Sequence, residues 1–253
     1  MGLLDGKVAI VTGAGGGIGT ATALLLAGHG TDVVSVDVNG DAARQTAAAV
    51  EAVGRGALAL EIDLADVTAG PQIVRDTLEQ FGQIDIIVNN AATGTRQNYP
   101  AITADAWDRV IAVNLRTPFL LVQAASGAMI DRGQGGRIVN VSSAAGFRAT
   151  MTDPVYSASK AGLDAVTRSL AAALGPHDIN VNAVAPGLTS SPMGRRLGDD
   201  ATMQAAVEEG PLANLLRRVS TPGDVAEVIV FLCLPASRQL TGQTIHTSAG
   251  NVV

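Results

Sequence analysis

A tyrosine and a lysine that could move a proton together stand four positions apart in "VYSASKAGLDAV", residues 155–166. The chain contains 2 tyrosines and 2 lysines, and arginine carries the rest of its positive charge. Four positions are just over one helical turn, so Tyr156 and Lys160 leave the same face of a helix. An ammonium group nearby favours the phenolate and lowers the pKa of a tyrosine from its usual value of about 10. The pair predicts a tyrosine acid/base tuned by a lysine, with a chance surface pairing as the alternative.

A glycine-rich loop near the start of the chain predicts a dinucleotide site. The stretch "TGAGGGIG", residues 12–19, follows a strand candidate and opens a helix candidate. At Gly13, Gly17 and Gly19 a tight turn, close approach to a pyrophosphate and close helix–strand packing each exclude a side chain. The N-terminus of the helix then offers free N–H groups to the phosphates. In a chain with 29 glycines a flexible turn is the alternative, but the position of the loop favours the dinucleotide site.

An acidic residue after the second strand candidate discriminates between dinucleotides. Asp37 follows the glycine loop by about 20 residues, where a carboxylate accepts hydrogen bonds from the ribose hydroxyls. A 2′-phosphate would meet like charge there, and neither "GAGGGIG" nor "DVNG" contains an arginine or a lysine. The sequence therefore favours NAD over NADP. A helix cap near Asp41 is the alternative role for Asp37.

The elements that must position these residues alternate between strand and helix. Nearly continuous apolar runs predict strands buried on both faces at residues 7–12, 32–37, 57–63, 84–90, 136–143, 179–186 and 243–248. Alanine-rich stretches between them predict helices, among them 17–27, 41–53, 104–130 and 154–174. We therefore expect an α/β fold of the Rossmann type, doubly wound, with a predominantly parallel seven-stranded sheet and helices on both faces.

The same pattern continues without a linker, so residues 1–253 are expected to form a single domain. The exception is a stretch at about 188–218, which carries several helix breakers and no strand pattern. Long connections of this kind often cover a site, so we expect a mobile lid there.

Composition excludes several classes of protein. A net charge of −6 without a basic patch argues against a nucleic-acid partner. The single cysteine, Cys233, excludes an internal disulfide and fits a reducing cytosol. No leader pattern and no apolar run of membrane-spanning length is evident, so we expect a cytoplasmic protein with no membrane partner. The histidines lack metal-ligand spacing and predict no metal site: His29, His177 and His246.

Further short motifs follow in order along the chain: "NNAA" (residues 89–92), Asn114 in "VNL", "VNVSS" (residues 139–143), "YSASK" and "APG" (residues 185–187). With "TGAGGGIG" they make the chain resemble the short-chain dehydrogenase/reductase family, in its short single-domain form, over essentially the whole sequence. The resemblance rests on several independent motifs in the correct order rather than on any one of them.

The resemblance implies a catalytic tetrad of Asn114, Ser143, Tyr156 and Lys160. Tyr156 would be the acid/base, and Lys160 would lower its pKa and hold the nicotinamide ribose. Ser143, preferred to Ser142 by its spacing from the tyrosine, would bind the substrate oxygen. Asn114 would anchor a water that links Lys160 to solvent.

The resemblance also implies contacts to the cofactor. Asp63 would meet the adenine amino group, Pro186 and Gly187 would border the nicotinamide, and Thr189 or Ser191 would bind its carboxamide. The expected cofactor-binding residues are Gly13, Gly17, Ile18, Gly19, Asp37, Asp63, Leu64, Asn90, Ala91, Tyr156, Lys160, Pro186, Gly187 and Thr189.

Two departures from the family pattern lie beside this site. Ala92 stands where the family usually has glycine and would narrow the pocket, and Ser248 and Ala249 replace an Asp-Gly pair. In the lid, Arg195 and Arg196 could bind a substrate carboxylate or phosphate, although a solvated pair or a subunit contact is the more common role. The side chains that could line the pocket or belong to the core are Tyr99, Phe147, Met151 and Met193.

The expected function is an NAD-dependent oxidoreductase that interconverts a secondary alcohol and its ketone, acting on a small-molecule substrate. One alternative is a 3-oxoacyl thioester reductase, although such enzymes usually carry a basic residue where Gly16 stands. Another is a non-catalytic dinucleotide-binding protein, which predicts a broken tetrad. By the same resemblance we expect a homotetramer.

Overall fold

The computed structural model describes residues 2–148 and 153–252, and one seven-stranded sheet runs through them. The strands are β1 (Val8–Thr12), β2 (Asp32–Asp37), β3 (Ala57–Glu61), β4 (Ile86–Asn89), β5 (Gly136–Val141), β6 (Ile179–Pro186) and β7 (Thr244–Thr247). Their order is β3-β2-β1-β4-β5-β6-β7, and every neighbouring pair is parallel. The predicted α/β sheet is confirmed, and each strand candidate lies within two residues of the observed bounds.

Helices cover both faces of this sheet. They are α1 (Gly17–Gly28), α2 (Gly40–Ala52), α3 (Ala69–Phe81), α4 (Ala104–Ile111), α5 (Thr117–Arg132), α6 (Pro154–Leu174), α7 (Asp200–Glu208) and α8 (Pro222–Cys233). Neighbouring residues of a strand point to opposite faces. Ile10 packs with α3, α5 and α6, whereas Ala9 and Val11 pack with α1, α2 and α8. This double burial explains why the strands are apolar runs rather than alternating patterns.

The strand order reverses between β1 and β4, which lie side by side although β2 and β3 separate them in sequence. In open α/β sheets a crevice forms at such a switch point, outside the carboxyl ends of the strands. The loops that follow β1, β4, β5 and β6 carry the residues that sequence motifs single out. The topology therefore brings four distant motifs to one edge of the sheet.

The predicted helix 104–130 is interrupted, contrary to expectation. A π-helical turn, Ala112–Arg116, separates α4 from α5, and the Thr117 N–H donates to the Ala112 carbonyl five residues earlier. The combined stretch Ala104–Arg132 spans 29 residues, and its most apolar 18-residue window has a mean hydropathy of 1.2, enough by length and composition to cross a membrane. The expectation that no apolar stretch reaches that length was therefore wrong. Half of its most apolar window is buried, and α5 packs on α3 and β5, as a core helix does.

The stretch at 188–218 holds one regular element that its sequence did not predict, helix α7. Asp199 caps this helix by accepting from the Thr202 N–H at 2.9 Å. Before it lies a short 3-10 turn, Gly194–Arg196, and Thr189 pairs with Ser220 in an isolated parallel bridge. The residues at the start and just past the end of this stretch therefore lie side by side, close to the carboxyl end of β6.

Candidate active site

A cleft of about 580 Å³ opens at the switch point of the sheet. Most of the residues that the sequence singled out line it: Gly13, Gly17, Ile18, Asp37, Asn90, Ala91, Ser143, Tyr156, Lys160, Pro186, Gly187 and Thr189. Ala92, Gly16 and Ser191 line it as well. Four predicted residues are not among its lining: Gly19, Asp63, Leu64 and Asn114. The motifs from both halves of the chain therefore meet in one cavity.

The glycine loop is packed so tightly that one of its glycines cannot carry a side chain. A Cβ at Gly19 would overlap the carbonyl oxygen of Gly13 and lie 2.7 Å from Asn90 Nδ2. Asn90 Nδ2 donates to the carbonyl oxygens of Thr12 (2.9 Å) and Gly13 (3.1 Å), which joins the end of β4 to the loop. Gly19 therefore shapes the loop without lining the cleft.

The start of α1 leaves donors available to an anion. Its N-cap residue, Gly16, has an extended backbone and no side chain to accept from the first turn. Gly17 has a φ of 52°, a left-handed conformation that favours glycine. Free N–H groups at a helix N-terminus form a ready anion site. The cradle fits the pyrophosphate of a dinucleotide.

Asp37 ends β2 against the same loop. Its Oδ2 accepts from the Gly15 N–H at 2.9 Å, and its Oδ1 accepts from the Asn39 N–H at 2.9 Å. A Cβ at Gly15 would lie 2.8 Å from Asp37 Oδ2, so this contact also requires glycine. Sequence reasoning missed Gly15, although its place in the glycine triplet was a usable signal. The carboxylate is fixed at the cleft wall by backbone donors.

Tyr156 lies in the first turn of α6, whose N-cap is Asp153. Asp153 Oδ1 accepts from the Tyr156 N–H at 3.0 Å. Burial raises the pKa of Tyr156, a hydrogen bond with the Ser143 side chain lowers it, and the charge of Asp153 raises it. The net direction is upward, so the expected lowering of this pKa by Lys160 is not found in the protein alone. Sequence reasoning also missed Asp153, although an aspartate before a proline is a helix-start signal.

Lys160 lies below the tyrosine and is 1% exposed. Its Nζ donates to the Val141 carbonyl oxygen at 2.7 Å and lies 5.7 Å from the centre of the Tyr156 ring. Burial lowers the pKa of Lys160 to about 8, while the charge of Asp164 acts in the opposite direction. A lysine with this pKa is partly neutral near physiological pH and can exchange protons there.

A buried carboxylate one turn beyond Lys160 connects three elements of the site. Asp164 Oδ2 accepts from Ser142 Oγ at 2.6 Å, and Oδ1 accepts from Thr244 Oγ1 at 2.9 Å. Burial raises the pKa of Asp164, and these two hydrogen bonds lower it. The i,i+4 spacing from Lys160 could have identified it, since both side chains share one helix face. Asp164 fixes Ser142, the neighbour of Ser143 in sequence.

Asn114 lies in the π turn and is fully buried. Its Oδ1 accepts from the Thr93 N–H at 2.8 Å, and its Nδ2 donates to the Thr93 carbonyl (2.9 Å) and to Ser159 Oγ (3.0 Å). The side chain thus clamps the loop after β4 against α6. The water that the family resemblance places at Asn114 stays a prediction.

The remaining predicted residues lie around the cleft in different settings. Asp63 forms an ion pair with Arg109 at 3.2 Å, and the buried Leu64 packs in the core beside α3 and α5. Their contacts to a cofactor stay predictions. Ser248 lies close behind Gly187: a Cβ added at Gly187 would lie 3.0 Å from the Cα of Ser248. Among the described residues no cluster of histidine, cysteine or carboxylate side chains could hold a metal ion.

The two arginines of the stretch 188–218 lie in different settings. Arg195 pairs with Asp200 at 2.7 Å and does not line the cleft, whereas Arg196 and Met193 do. Phe147 packs its ring edge-on against His246, with 4.5 Å between the ring centres. Tyr99 is 74% exposed and lies outside the cleft lining. Met151 lies outside the described residues.

Comparison with known proteins finds relatives that align over almost the whole chain. A protein-family model described as "Enoyl-(Acyl carrier protein) reductase" matches residues 13–251. The chain is 36% identical to 2-dehydro-3-deoxy-D-gluconate 5-dehydrogenase of Escherichia coli, over 98% of this chain and 96% of that protein. It is also 36% identical to galactitol 2-dehydrogenase of Agrobacterium fabrum, over 98% of each chain. A short-chain dehydrogenase from Mycobacterium paratuberculosis, solved bound to NAD, superposes with a TM-score of 0.90 at 32% identity, covering 99% of each chain.

Proposed function

The chain belongs to the short-chain dehydrogenase/reductase family and is an oxidoreductase that interconverts a secondary alcohol and its ketone; we propose that it uses NAD rather than NADP. Relatives that align over almost the whole chain oxidise a CH–OH group of a polyol or a sugar acid by name, which supports a polyhydroxylated substrate.

The glycine loop and Asp37 would hold the cofactor. The N–H groups at the start of α1 suit the pyrophosphate, and the Asp37 carboxylate suits the two ribose hydroxyls. A 2′-phosphate would face this carboxylate, and residues 13–19 and 37–40 contain no arginine or lysine. When bound, the nicotinamide accepts or supplies the hydride. The preference for NAD rests on the position of Asp37.

Ser143, Tyr156 and Lys160 would carry out the proton chemistry. The Ser143 hydroxyl would bind the substrate oxygen beside the tyrosine and orient it. Tyr156 would take the hydroxyl proton from the alcohol as the hydride leaves carbon, and would return it in ketone reduction. Lys160 would hold the nicotinamide ribose and pass protons between the site and solvent, for which its pKa of about 8 is suitable.

The observation that carries this proposal is that Ser143, Tyr156 and Lys160 line the same cleft as the glycine loop. The test is absorbance of NADH with purified protein and a panel of polyols, hydroxy acids and 3-hydroxyacyl thioesters, with NAD⁺ and NADP⁺ run in parallel. We expect turnover with NAD⁺ that Tyr156→Phe abolishes. Turnover with NADP⁺ alone would contradict the cofactor proposal, and turnover retained by Tyr156→Phe would contradict the role of the tyrosine.

Reduction of a 3-oxoacyl thioester is the second candidate. The description of the matching family model names an acyl carrier protein, which favours an acyl-thioester substrate. The same panel separates it from the first candidate, because it predicts faster reaction of the thioesters than of any polyol. A non-catalytic dinucleotide-binding protein would bind NADH and turn over nothing in the panel.

We further propose a homotetramer in the cytoplasm, by family resemblance. Exposed apolar side chains on the outer helices, Trp107 on α4 and Phe119 on α5, support subunit packing there. Light scattering after size exclusion tests the assembly, and a monomer at micromolar concentration would contradict it.

A further inference from the structure

A second cavity of about 540 Å³ adjoins the cleft at the tyrosine. The two cavities share four lining residues: Asp153, Tyr156, Met193 and Arg196. The remaining lining of the second cavity comes from the loop after β4: Gly94, Arg96, Gln97 and Asn98. A substrate whose hydroxyl reaches Tyr156 would extend into this cavity, which we call the outer cavity.

The outer cavity is lined by two arginines that have no acidic partner in the part of the chain that the structure describes. Within residues 2–148 and 153–252, neither Arg96 nor Arg196 forms an ion pair, although six other arginines do. Arg195, the sequence neighbour of Arg196, is neutralised by Asp200 at 2.7 Å. Two free guanidinium groups beside a reaction centre match the planar, bidentate geometry of a carboxylate.

Asp153, the acid among the described residues that line the outer cavity, is already engaged. Asp153 Oδ1 accepts from the Tyr156 N–H, and Oδ2 accepts from the Thr95 N–H (2.7 Å) and Thr95 Oγ1 (3.1 Å). Three donors and a helix N-terminus stabilise this carboxylate where it is. It therefore competes weakly with a ligand for the arginines.

The loop that carries Arg96 is fastened at two residues just before the arginine. The Asn114 side chain clamps both backbone groups of Thr93, and Asp153 clamps Thr95. Arg96 itself has a φ of 56°, a conformation that is unusual for a residue other than glycine. Such strain persists where surrounding contacts impose it, often at ligand sites. The contacts that fix the loop come from the π turn and from the N-cap of α6, the helix of Tyr156.

We propose that the outer cavity binds the carboxylate of a hydroxy-acid substrate through Arg96 and Arg196, while the hydroxyl carbon lies at Tyr156. This inference rests on the proposed alcohol oxidation and adds the substrate class. The Asn98 side-chain amide supplies a donor and an acceptor for further hydroxyls of the substrate, and the Gln97 amide supplies its NH2 group, since Gln97 Oε1 accepts from the Thr103 N–H at 2.9 Å. The substrate is an acid of the aldonic or hydroxyalkanoic kind rather than a neutral polyol.

Matched charged and neutral probes test the proposal. Galactonate is compared with galactitol, and 3-hydroxybutyrate with 3-hydroxybutyramide, in steady-state oxidation with saturating NAD⁺. We expect kcat/KM to be at least tenfold higher for the charged member of the preferred pair. Arg96→Gln and Arg196→Gln should each raise KM for the acid by about tenfold and leave the neutral probe unchanged, because each removes a charge-assisted contact. Arg96→Lys should recover part of the loss.

Arg195→Gln is the matched control, since it removes an adjacent arginine that lines neither cavity; it should change neither probe. Because Arg196 also lines the cofactor cleft, the dissociation constant of NADH is measured for every variant, and a loss confined to NADH would overturn the assignment of Arg196. Equal losses for acid and neutral probe would overturn the proposal. If no probe turns over, galactonate is titrated calorimetrically into the enzyme–NADH complex. Binding that both arginine substitutions weaken supports the carboxylate site, and absence of binding refutes it. This result does not depend on whether the proposed oxidation occurs.

Discussion

Lys160 Nζ donates to the carbonyl oxygen of Val141 at 2.7 Å, so the ammonium group is anchored on the end of β5 rather than on the tyrosine above it. The lysine is almost completely buried, and burial lowers its pKa to about 8. A charge held in this way costs stability, because a buried ammonium group has lost its water. In return for this loss of stability, the lysine provides an exchangeable proton and a hydrogen-bond donor at the cleft wall.

Replacing Lys160 with methionine should stabilise the fold while abolishing activity. A pKa of about 8 in the folded state, against the ordinary 10.5 in the unfolded chain, corresponds to roughly 3 kcal/mol against folding below pH 8. The substitution also removes the hydrogen bond to Val141, which reduces the expected gain in stability by about 1 kcal/mol. Urea denaturation of Lys160→Met at pH 7 should therefore give an unfolding free energy about 1–3 kcal/mol above that of the wild type.

The pH dependence of that difference identifies its origin. Between pH 8 and 10.5 the unfolded chain still binds the proton that the folded state has released, so the stability of the wild type rises with pH. The advantage of Lys160→Met should shrink across this window and vanish near its upper end. A constant difference at pH 7 and pH 10 would show that packing, and not the lysine charge, is responsible.

The two side chains that act on Tyr156 should displace the pH profile of alcohol oxidation in opposite directions. Oxidation needs the phenolate, so kcat/KM rises with pH until the tyrosine is ionised. Ser143 lowers the pKa of Tyr156 and Asp153 raises it. Ser143→Ala should therefore move the profile to higher pH, and Asp153→Asn to lower pH. Profiles of kcat/KM at saturating NAD⁺ measure both, and a displacement in the same direction for both variants would contradict this account.

Sequence pattern was sufficient for the sheet because its strands are buried on both faces. Ile10 and Val11 point to different cores, and each must be apolar, so the run is visible without any partner. The glycine loop was visible for a similar reason, since a Cβ at Gly19 would overlap the Gly13 carbonyl oxygen within the loop itself. Local requirements of this kind leave a mark at fixed spacing.

Residues whose partners are distant in sequence left no such mark. The π turn at Asn114 depends on the Thr93 backbone and Ser159, 21 and 45 positions away. Asp164 gains its partners from β7 and from the end of β5, and Arg96 belongs to a loop that α6 holds in place. Helical periodicity carries no information on these contacts. The direction of the Tyr156 pKa depended likewise on burial, which spacing alone cannot give.

Removing the charge of Asp37 should relax the choice of dinucleotide. Asp37→Ser keeps an acceptor near the Gly15 N–H but no longer repels a 2′-phosphate. The ratio of kcat/KM for NAD⁺ to that for NADP⁺ should fall by about 10- to 100-fold. Glu61→Gln is the control, because it removes the same charge from the register partner of Asp37 on β3, outside the cleft lining. If both variants left the ratio unchanged, Asp37 would not determine the choice between NAD⁺ and NADP⁺.

Two glycines of helix α1 should respond oppositely to alanine. At Gly19 the added methyl group would overlap the Gly13 carbonyl and crowd Asn90, and neither can retreat without opening the loop that faces the cofactor. Gly19→Ala should weaken NADH binding by at least tenfold and destabilise the fold by about 1–3 kcal/mol, as overpacking does.

Gly28, in the last turn of the same helix, has no atom within 4 Å of an added Cβ. Gly28→Ala should bind NADH normally and gain up to about 1 kcal/mol from helix propensity. Fluorescence titration with NADH and thermal unfolding of both variants measure these effects. If Gly19→Ala bound NADH as tightly as Gly28→Ala, the close packing of the loop would not be what shapes the dinucleotide site.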